Sequence, residues 1–477
     1  MSTIKTPLPS RKLLFSLLFL SIGLRLLSLG LYPLMDTTEA RYGEMARIMF
    51  ETSNWVTPMF DYNVPFWGKP PIFTWLSSLG FSVFGINEFA ARLPHLLVGF
   101  GILWLTYTLA KSHFNQSKMG VFAATILAST LSFLLISGAV MTDTALTFSI
   151  TLSMISFWQA WQQKGRVWGY LFFLGLTLGM LSKGPLAVVL VGMSLTIWLI
   201  SNKRWKKLPS VLPWGQGSLL FILLTAPWYV LAELRTPGFL DYFIIGEHIK
   251  RFVMSGWQGD LYGSAHEEIR GTIWLYAFGA MLPWSPILIW QWLRSLKEGR
   301  DTEESREGFA SYLVLWLLAP LLLFTFAGNI LASYVMPALP AMALLIVHYH
   351  SQKTLPNGLY RIGFITPLLI SIVVIGLHFN LTNKHTEKTL LGIWKQQTEA
   401  TSADLYFLQK RPFSGQFYSS GKAKQRSANL DGWLPQQAKP FFIIERNTNV
   451  LDYPNWSCQK RAEDKKKRLL FCTSSKN

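Results

Sequence analysis

The sequence predicts a mainly α-helical, polytopic membrane protein of about eleven to thirteen spans, with a small α/β domain at its carboxyl end. Three observations carry this. Of 477 residues, 50% are hydrophobic and only 15% charged, whereas about a quarter of an ordinary soluble protein is charged. Apolar stretches long enough to cross a bilayer recur as far as residue 380. Beyond that point the composition turns polar and basic, with two short runs rich in β-formers.

The first apolar run, Leu13 to Leu31, follows Lys5, Arg11 and Lys12. It is long for the apolar part of a signal peptide and no small-residue cleavage pattern follows, so an uncleaved anchor is expected. Further spans are expected near 94–110, 119–140, 144–161, 167–182, 185–201, 215–232, 272–292, 309–327, 331–349 and 361–379. Basic residues of short loops remain in the cytoplasm. The amino terminus, Lys111/Lys118, Lys164/Arg166, "NKRWKK" at 202–207, Arg294/Lys297/Arg300 and Lys353/Arg361 then share that side. The two long loops, 32–93 and 233–271, face outward together with the tail. The sequence carries no eukaryotic retrieval signal, so a bacterial inner membrane with a periplasmic outer face is expected.

The chain thus divides into a membrane domain, 1–380, and a small outer domain, 381–477. In the tail, "KPFFIIER" and "RLLFC" read as strands. Its two cysteines, Cys458 and Cys472, fall on the oxidising side, where a disulfide and two unpaired thiols both remain open. The net charge is +18, and the tail supplies half of it with 17 Lys/Arg against 8 Asp/Glu. A translocated basic domain beside a bilayer meets anionic membrane lipids rather than nucleic acid. The sequence shows no internal repeat and no inverted pair of broken helices of the kind that marks many transporters.

The stretch "MDTTEARYGEM" sets Asp36, Glu39, Arg41 and Glu44 directly after the first span. Read locally, Asp36 and Glu39 have the spacing of a capping box, starting an amphipathic helix that lies along the membrane surface. The same outer face also presents "FWGKPP" at 66–71, "MTD" at 141–143, "SKGP" at 182–185 and "GEHIKRF" at 246–252. Ionisable residues gathered at one end of the spans are costly unless used or paired, so an outward-facing polar cavity is expected. Lys69, held before Pro70 and Pro71, and Lys183, before Gly184 and Pro185, suit a phosphate, although a snorkelling lysine explains either one. Asp143 is placed to cap the next span and also to face the site. Glu247 and Arg251, four apart, read as a surface ion pair, and His248 with Arg251 presents a face for a phosphate. "AHEEIR" at 265–270 lacks the second histidine of a zinc-protease motif. Phosphate-binding glycine loops, nucleophile elbows and zinc-ligand clusters are missing. No metal site and no cofactor is expected; a divalent metal is permitted but nothing in the sequence supports one.

These stretches, with "FGINEFAARLPHLL", "MTDTALTF", "FIIGEHIKRFVMSG" and "NILASYVMPALPAMALL", resemble the GT-C class of glycosyltransferases that use lipid-linked sugars, in the bacterial branch related to protein mannosyltransferases. Within it the sequence is most similar to the aminoarabinose transferases of lipid A. The resemblance implies a GT-C fold and transfer of a sugar from a polyprenyl phosphate to lipid A, another glycolipid or a protein at the outer face. It implies Asp36 as base or acceptor-orienting acid, with Asp143 the second acid and Glu39 beside them. Lys69, Arg251, Lys183 and His248 would hold the donor phosphate, and Arg41 and Tyr334 would contact substrate. The chain is shorter than that family's pattern, and reads "FWGKPP" where the family has Y-F-x-K-P, which leaves sugar and acceptor open. A transporter or flippase is the remaining alternative.

Overall fold

The computed structural model describes residues 9–263, 266–298, 308–352, 356–379, 381, 385–398, 403–427, 434, 437, 439–447, 453–464 and 466–474. The expected inner-face residues Lys5, Arg300 and Lys353 lie outside them. From the amino terminus run α1 (Arg11–Ser28), α2 (Thr38–Thr52), a ribbon of β1 (Met59–Asp61) and β2 (Val64–Pro65), α3 (Ile72–Phe84), α4 (Glu88–Phe114), α5 (Ser117–Ala128) and α6 (Leu131–Ile136). Next come α7 (Asp143–Trp161), α8 (Val167–Lys183), α9 (Pro185–Ser201), α10 (Leu208–Val211) and α11 (Trp214–Arg235). A π-helix (Asp241–Lys250) passes into α12 (Arg251–Val253), then α13 (Thr272–Ala280), α14 (Ser285–Glu298), α15 (Phe309–Thr325), α16 (Leu339–Gln352) and α17 (Ile365–His378).

The protein is mainly helical. Among the described residues, four helices are long and apolar enough to cross a membrane, or six if each of two sharply bent pairs is one span. Two expected spans are broken. The run 119–140 divides into α5 and α6, and 272–292 bends by 105° between α13 and α14. The second break falls at Pro283, which lacks the N–H that would continue a helix. The two breaks meet: Leu131 N–H donates to the Leu282 carbonyl at 2.8 Å, and Trp284 Nε1 donates to Ser129 Oγ at 3.1 Å. Irregular backbone at membrane depth is tolerated where protein satisfies it in this way.

The central antiparallel pair, α7 and α8, is packed through small residues. A Cβ on Gly175 would lie 2.3 Å from Ser153 Oγ, and one on Gly179 would lie 3.0 Å from Ser149 Oγ. Such close approach drives helix association where lipid supplies no hydrophobic force. It also brings two charged residues together, because α7 begins with Asp143 and α8 ends with Lys183, at the same end of the pair.

Contrary to the surface helix expected for "TEARYGEMARIMF", every residue of α2 from Tyr42 to Met49 is buried. Arg47 stays inside because Glu44 accepts from its Nε at 2.7 Å and Glu51 from its Nη1 at 2.6 Å. Nor does the capping box form. The helix begins after Thr37, without a side-chain cap.

The carboxyl-terminal region comprises α18 (Lys388–Thr398), β3 (Asp404–Leu408), α19 (Phe413–Tyr418), β4 (Ala423–Arg426), β5 (Phe441–Arg446), β6 (Trp456–Glu463) and β7 (Lys467–Ser474). The strands form one sheet in the order β4-β3-β5-β7-β6, parallel across the first three and antiparallel thereafter. Alternate residues face opposite sides: Leu405, Phe407, Phe442 and Ile444 pack with Leu390, Leu391 and Trp394 of α18, while Tyr406, Phe441, Ile443 and Leu470 line the other face. The two strands read from sequence are β5 and β7. Cys458 and Cys472, directly opposed on β6 and β7, form a disulfide. Closing a loop of this length stabilises by about 3 kcal/mol. Cys472→Ser is expected to destabilise the sheet by that order, read as earlier urea unfolding of the tail followed by near-ultraviolet circular dichroism.

Candidate active site

At the end of the central pair, Lys183 Nζ donates to Asp143 Oδ1 at 2.8 Å. Both side chains are nearly inaccessible, at 7% and 6% exposure, so each needs the other's charge. Asp143 therefore pairs across helices instead of capping its own, and Thr142 is the cap residue. The ring of Tyr334 lies 4.4 Å from the Lys183 ammonium, a cation–π contact strengthened by desolvation. Gly184 ends α8 with a φ of +72°, and a Cβ there would meet Phe243 at 2.5 Å. Pro185 then starts α9, where its missing N–H costs nothing.

The π-helix forms the neighbouring wall and carries Glu247, whose side chain is 3% exposed. Lys69 Nζ donates to Glu247 Oε2 at 2.7 Å and to the carbonyl of the adjacent Gly68 at 2.6 Å. Arg251 Nη1 lies 3.1 Å from Glu247 Oε1 and 3.3 Å from Asp260 Oδ2. The Glu247–Arg251 pair is therefore not the surface ion pair expected from its spacing. Burial pushes the Glu247 carboxyl up, but the charges of Lys69 and Arg251 outweigh it and hold the group below its ordinary value. The two cations are pre-oriented with ammonium and guanidinium hydrogens to spare.

A cavity of about 700 Å³ joins these groups. Asp143, Lys69, Arg251, Lys183, Arg41 and Tyr334 all line it. Arg41 donates from Nη1 to the Tyr262 carbonyl at 2.8 Å. Tyr262 in turn joins the two outer loops, donating to the Pro65 carbonyl at 2.9 Å and accepting from Trp67 N–H at 3.1 Å.

Three expected residues are not on the cavity wall. Asp36 turns to the carboxyl-terminal region, where Oδ1 accepts from Ser414 N–H at 3.0 Å and Oδ2 from the Ser414 hydroxyl. Burial raises its carboxyl above the ordinary aspartate value, against the pull of the Ser414 bonds. Glu39 receives Arg92 on both oxygens, at 2.7 and 2.6 Å, while the same guanidinium donates to the carbonyls of Leu29, Tyr32 and Pro33. It ties the first loop to α4. His248 is occupied at both ring nitrogens, Nδ1 by the Phe243 carbonyl at 2.8 Å and Nε2 by the Lys183 carbonyl at 3.1 Å. It fastens the π-helix to the end of α8 and does not present a nitrogen to a phosphate.

The structure adds residues that the sequence did not single out. Asp260 and Tyr262 come from "GDLYG" in the second outer loop, and Asp61 from the β1–β2 ribbon. Lys410, Arg411, Phe413, Gln416 and Gln425 come from the carboxyl-terminal region, which therefore forms one wall of the cavity. Arg411 is ion-paired with Asp61 and donates to the Ala423 carbonyl at 2.6 Å. The available signal was "KRP" following a β-run, since the segment after a parallel strand lies at its carboxyl edge, where α/β sheets present ligand-binding loops.

The Asp36–Ser414 contact is expected to act as a latch. Charge-assisted bonds of this kind contribute about 1.5–3 kcal/mol. Asp36→Asn and Ser414→Ala should therefore lower the melting temperature non-additively, and reduce turnover in similar proportion. Loss of turnover in Asp36→Asn alone, with Ser414→Ala unaffected, would instead give Asp36 a direct role on substrate.

Comparison with known proteins matches this architecture. Residues 10–243 match the family described as dolichyl-phosphate-mannose-protein mannosyltransferase. An undecaprenyl phosphate-alpha-4-amino-4-deoxy-L-arabinose arabinosyl transferase of Erwinia tasmaniensis is 29% identical over 402 residues, covering 80% of this chain and 69% of the relative. Relatives of the same description from Edwardsiella ictaluri, 29% identical over 71% of this chain, and Pseudomonas fluorescens, 30% identical over 74%, are each covered over 60% of their length. The chain thus spans about three fifths to two thirds of these relatives. Among solved structures, ArnT from Cupriavidus metallidurans bound to undecaprenyl phosphate superposes with a TM-score of 0.74 at 17% identity, covering 96% of this chain and 97% of that one. The oligosaccharyltransferase of Archaeoglobus fulgidus gives 0.51 at 11% identity, covering 92% of this chain and 70% of that one. At these identities the likeness is one of fold.

Proposed function

From the match of residues 10–243 to the family described as dolichyl-phosphate-mannose-protein mannosyltransferase, we propose that this protein is an integral membrane glycosyltransferase of that family that takes its sugar from a polyprenyl phosphate. The observation that carries the reading is the cavity itself, which sets two cations, Lys69 and Arg251, beside the Asp143–Lys183 pair. The relatives' printed activity, transfer of aminoarabinose from undecaprenyl phosphate, makes that lipid the expected carrier. Lipid A or another envelope glycolipid is the expected acceptor. About eleven spans make up residues 1–380, and 381–477 form a periplasmic α/β domain. The bacterial inner membrane is the site of action. Both long outer loops and the tail line one cavity, which supports placing the reaction on the periplasmic side.

In the transfer, an acceptor oxygen attacks the anomeric carbon, the bond from that carbon to the polyprenyl phosphate breaks, and its electron pair stays on the phosphate oxygen. Lys69 and Arg251 stabilise the charge growing there. Where the acceptor is a hydroxyl, Asp143 takes its proton. Where it is a phosphate, the nucleophile is already anionic, and Asp143 with Lys183 orients the sugar through charge-assisted hydrogen bonds. Arg41 and Tyr334 contact substrate directly. Asp36, Glu39 and His248 act from behind the wall, holding the loops that carry these groups. The matched family's own description favours one second reading, transfer to a protein hydroxyl.

Mass spectrometry of lipid A and other envelope glycolipids tests the assignment, comparing cells with the protein, without it, and with Asp143→Asn. A sugar-sized mass missing from the last two supports glycolipid transfer. Unchanged glycolipids in all three, with a glycan lost from an envelope protein, would establish the protein-acceptor reading instead.

A further inference from the structure

Arg25 carries a buried charge that takes no part in the cavity wall. It lies in the last turn of α1, is 3% exposed, and forms no ion pair among the described residues. An arginine enclosed at the end of a span is costly unless its donors are used. Its Nε donates to the Ser137 carbonyl at 2.8 Å and Nη2 to the Leu135 carbonyl at 3.3 Å. Nη1 donates to the Tyr32 hydroxyl at 3.0 Å and to Ser28 Oγ at 3.2 Å. The two carbonyls belong to the end of α6, where a helix leaves such groups without partners of its own. Residues 137–142 then lead into α7, which opens on Asp143 without a side-chain cap. Met141 and Thr142 of this segment line the cavity beside Asp143. The segment is held further along as well: Glu39 Oε1 accepts from Val140 N–H at 3.3 Å, and Thr144 Oγ1 donates back to the Ile136 carbonyl at 3.1 Å. Tyr32 joins these holds, because its hydroxyl meets Arg25 and its ring lies 3.8 Å from the Arg92 guanidinium that fixes Glu39. At the bend, Gly138 has a φ of +92°, and a Cβ there would lie 3.3 Å from Arg25 Nε.

We propose that Arg25 is a positioning residue for the transfer: by pinning the carbonyls of Leu135 and Ser137, it sets the backbone that delivers the Asp143 carboxylate to the cavity. This rests on the reading that Asp143 acts on the acceptor or the sugar. Lys183 fixes one oxygen of that carboxylate, whereas Arg25 fixes where the chain that carries it begins. A planar guanidinium suits the task, because its rigid fork holds two carbonyls at a set spacing. Lys69 and Arg251 lie on other elements, so the effect of Arg25 falls on the chemical step and not on the hold on the donor. Misplacing a reacting group by about 1 Å costs about 10²-fold in rate.

The test measures transfer of labelled aminoarabinose from undecaprenyl phosphate by the full-length protein in right-side-out vesicles. Turnover is expressed per folded molecule, counted by size-exclusion chromatography of the detergent extract, with thermal unfolding alongside. Arg25→Gln is expected to lower kcat by about 10–10²-fold and to leave the KM for donor unchanged. Tyr32→Phe keeps the ring against Arg92 and removes only the hydroxyl that accepts from Arg25, so kcat should fall by about threefold. A merely structural Arg25 would lower the melting temperature and the folded fraction, while each folded molecule turned over as the wild type does. That result in Arg25→Gln overturns the proposal. If Arg25→Gln does not fold, Tyr32→Phe decides by the same measure. A raised donor KM with kcat intact also overturns it, by moving the effect to the donor pocket. Asp143→Asn separates the underlying reading. Full turnover there overturns the role of Asp143, and the positioning with it. An inactive Asp143→Asn beside a fully active Arg25→Gln overturns the positioning alone.

Discussion

Lys69→Gln is expected to lower turnover by about 10²–10³-fold, the range found when one pre-oriented donor is removed from a site of developing negative charge. The reason lies in what fixes Lys69. Its ammonium is held by a buried carboxylate and by the carbonyl of Gly68, ahead of two prolines that stiffen the chain. Little reorganisation is then required when charge grows on the departing phosphate. Glutamine keeps a hydrogen-bond donor but loses the charge, so the effect should fall on kcat more than on the KM for acceptor. Transfer of labelled sugar from polyprenyl phosphate in right-side-out vesicles, which expose the periplasmic face, reads this directly. The double variant Lys69→Gln/Glu247→Gln removes the unmatched carboxylate that the single variant leaves beside Arg251. If it regains turnover, the single variant's loss came from that stray negative charge. If turnover survives in the single variant, the donor phosphate is held elsewhere.

The second large effect is expected at Asp143, on stability and chemistry together. Asp143→Asn leaves Lys183, at 7% exposure, without its counter-charge. Breaking a buried pair in this way costs about 3–5 kcal/mol. The double variant Asp143→Leu/Lys183→Met removes both charges and is expected to recover most of that stability, because an apolar pair of similar volume is often as stable as a buried ion pair. Turnover should be lost in both. Thermal unfolding in detergent alongside the vesicle assay separates the roles. Recovery of stability without turnover assigns the chemistry to the carboxylate. Recovery of both would reduce Asp143 to a counter-ion.

Much of this architecture is legible in the amino-acid sequence. The helical class, the carboxyl-terminal strands, the two outer loops and the grouping of ionisable residues at one end of the spans all follow from hydropathy and from the cost of charge in a membrane. Six of the nine candidate residues line the cavity: Asp143, Lys183 and Tyr334 lie at the start or end of an apolar segment, where sequence alone reveals depth, and Arg41, Lys69 and Arg251 lie in the two long loops that join such segments. The three that do not, Asp36, Glu39 and His248, lie at the same depth but point the other way. Depth is a property of sequence position. Direction depends on partners such as Ser414, Arg92 and the Lys183 carbonyl, which are distant in sequence or belong to another element.

The sequence by itself determined that the chain is dominated by apolar helices, that ionisable residues gather near their ends, and that a polar, basic region follows, since these depend on local composition. Tertiary structure alone decided which cation meets which carboxylate, that α2 is buried rather than lying on the surface, and that the carboxyl-terminal domain forms a wall of the site. The pairing of Lys69 with Glu247 joins positions 178 residues apart, and that of Arg411 with Asp61 joins positions 350 apart. Contacts over such separations are set by the packing of whole helices and of the sheet, which no local pattern encodes.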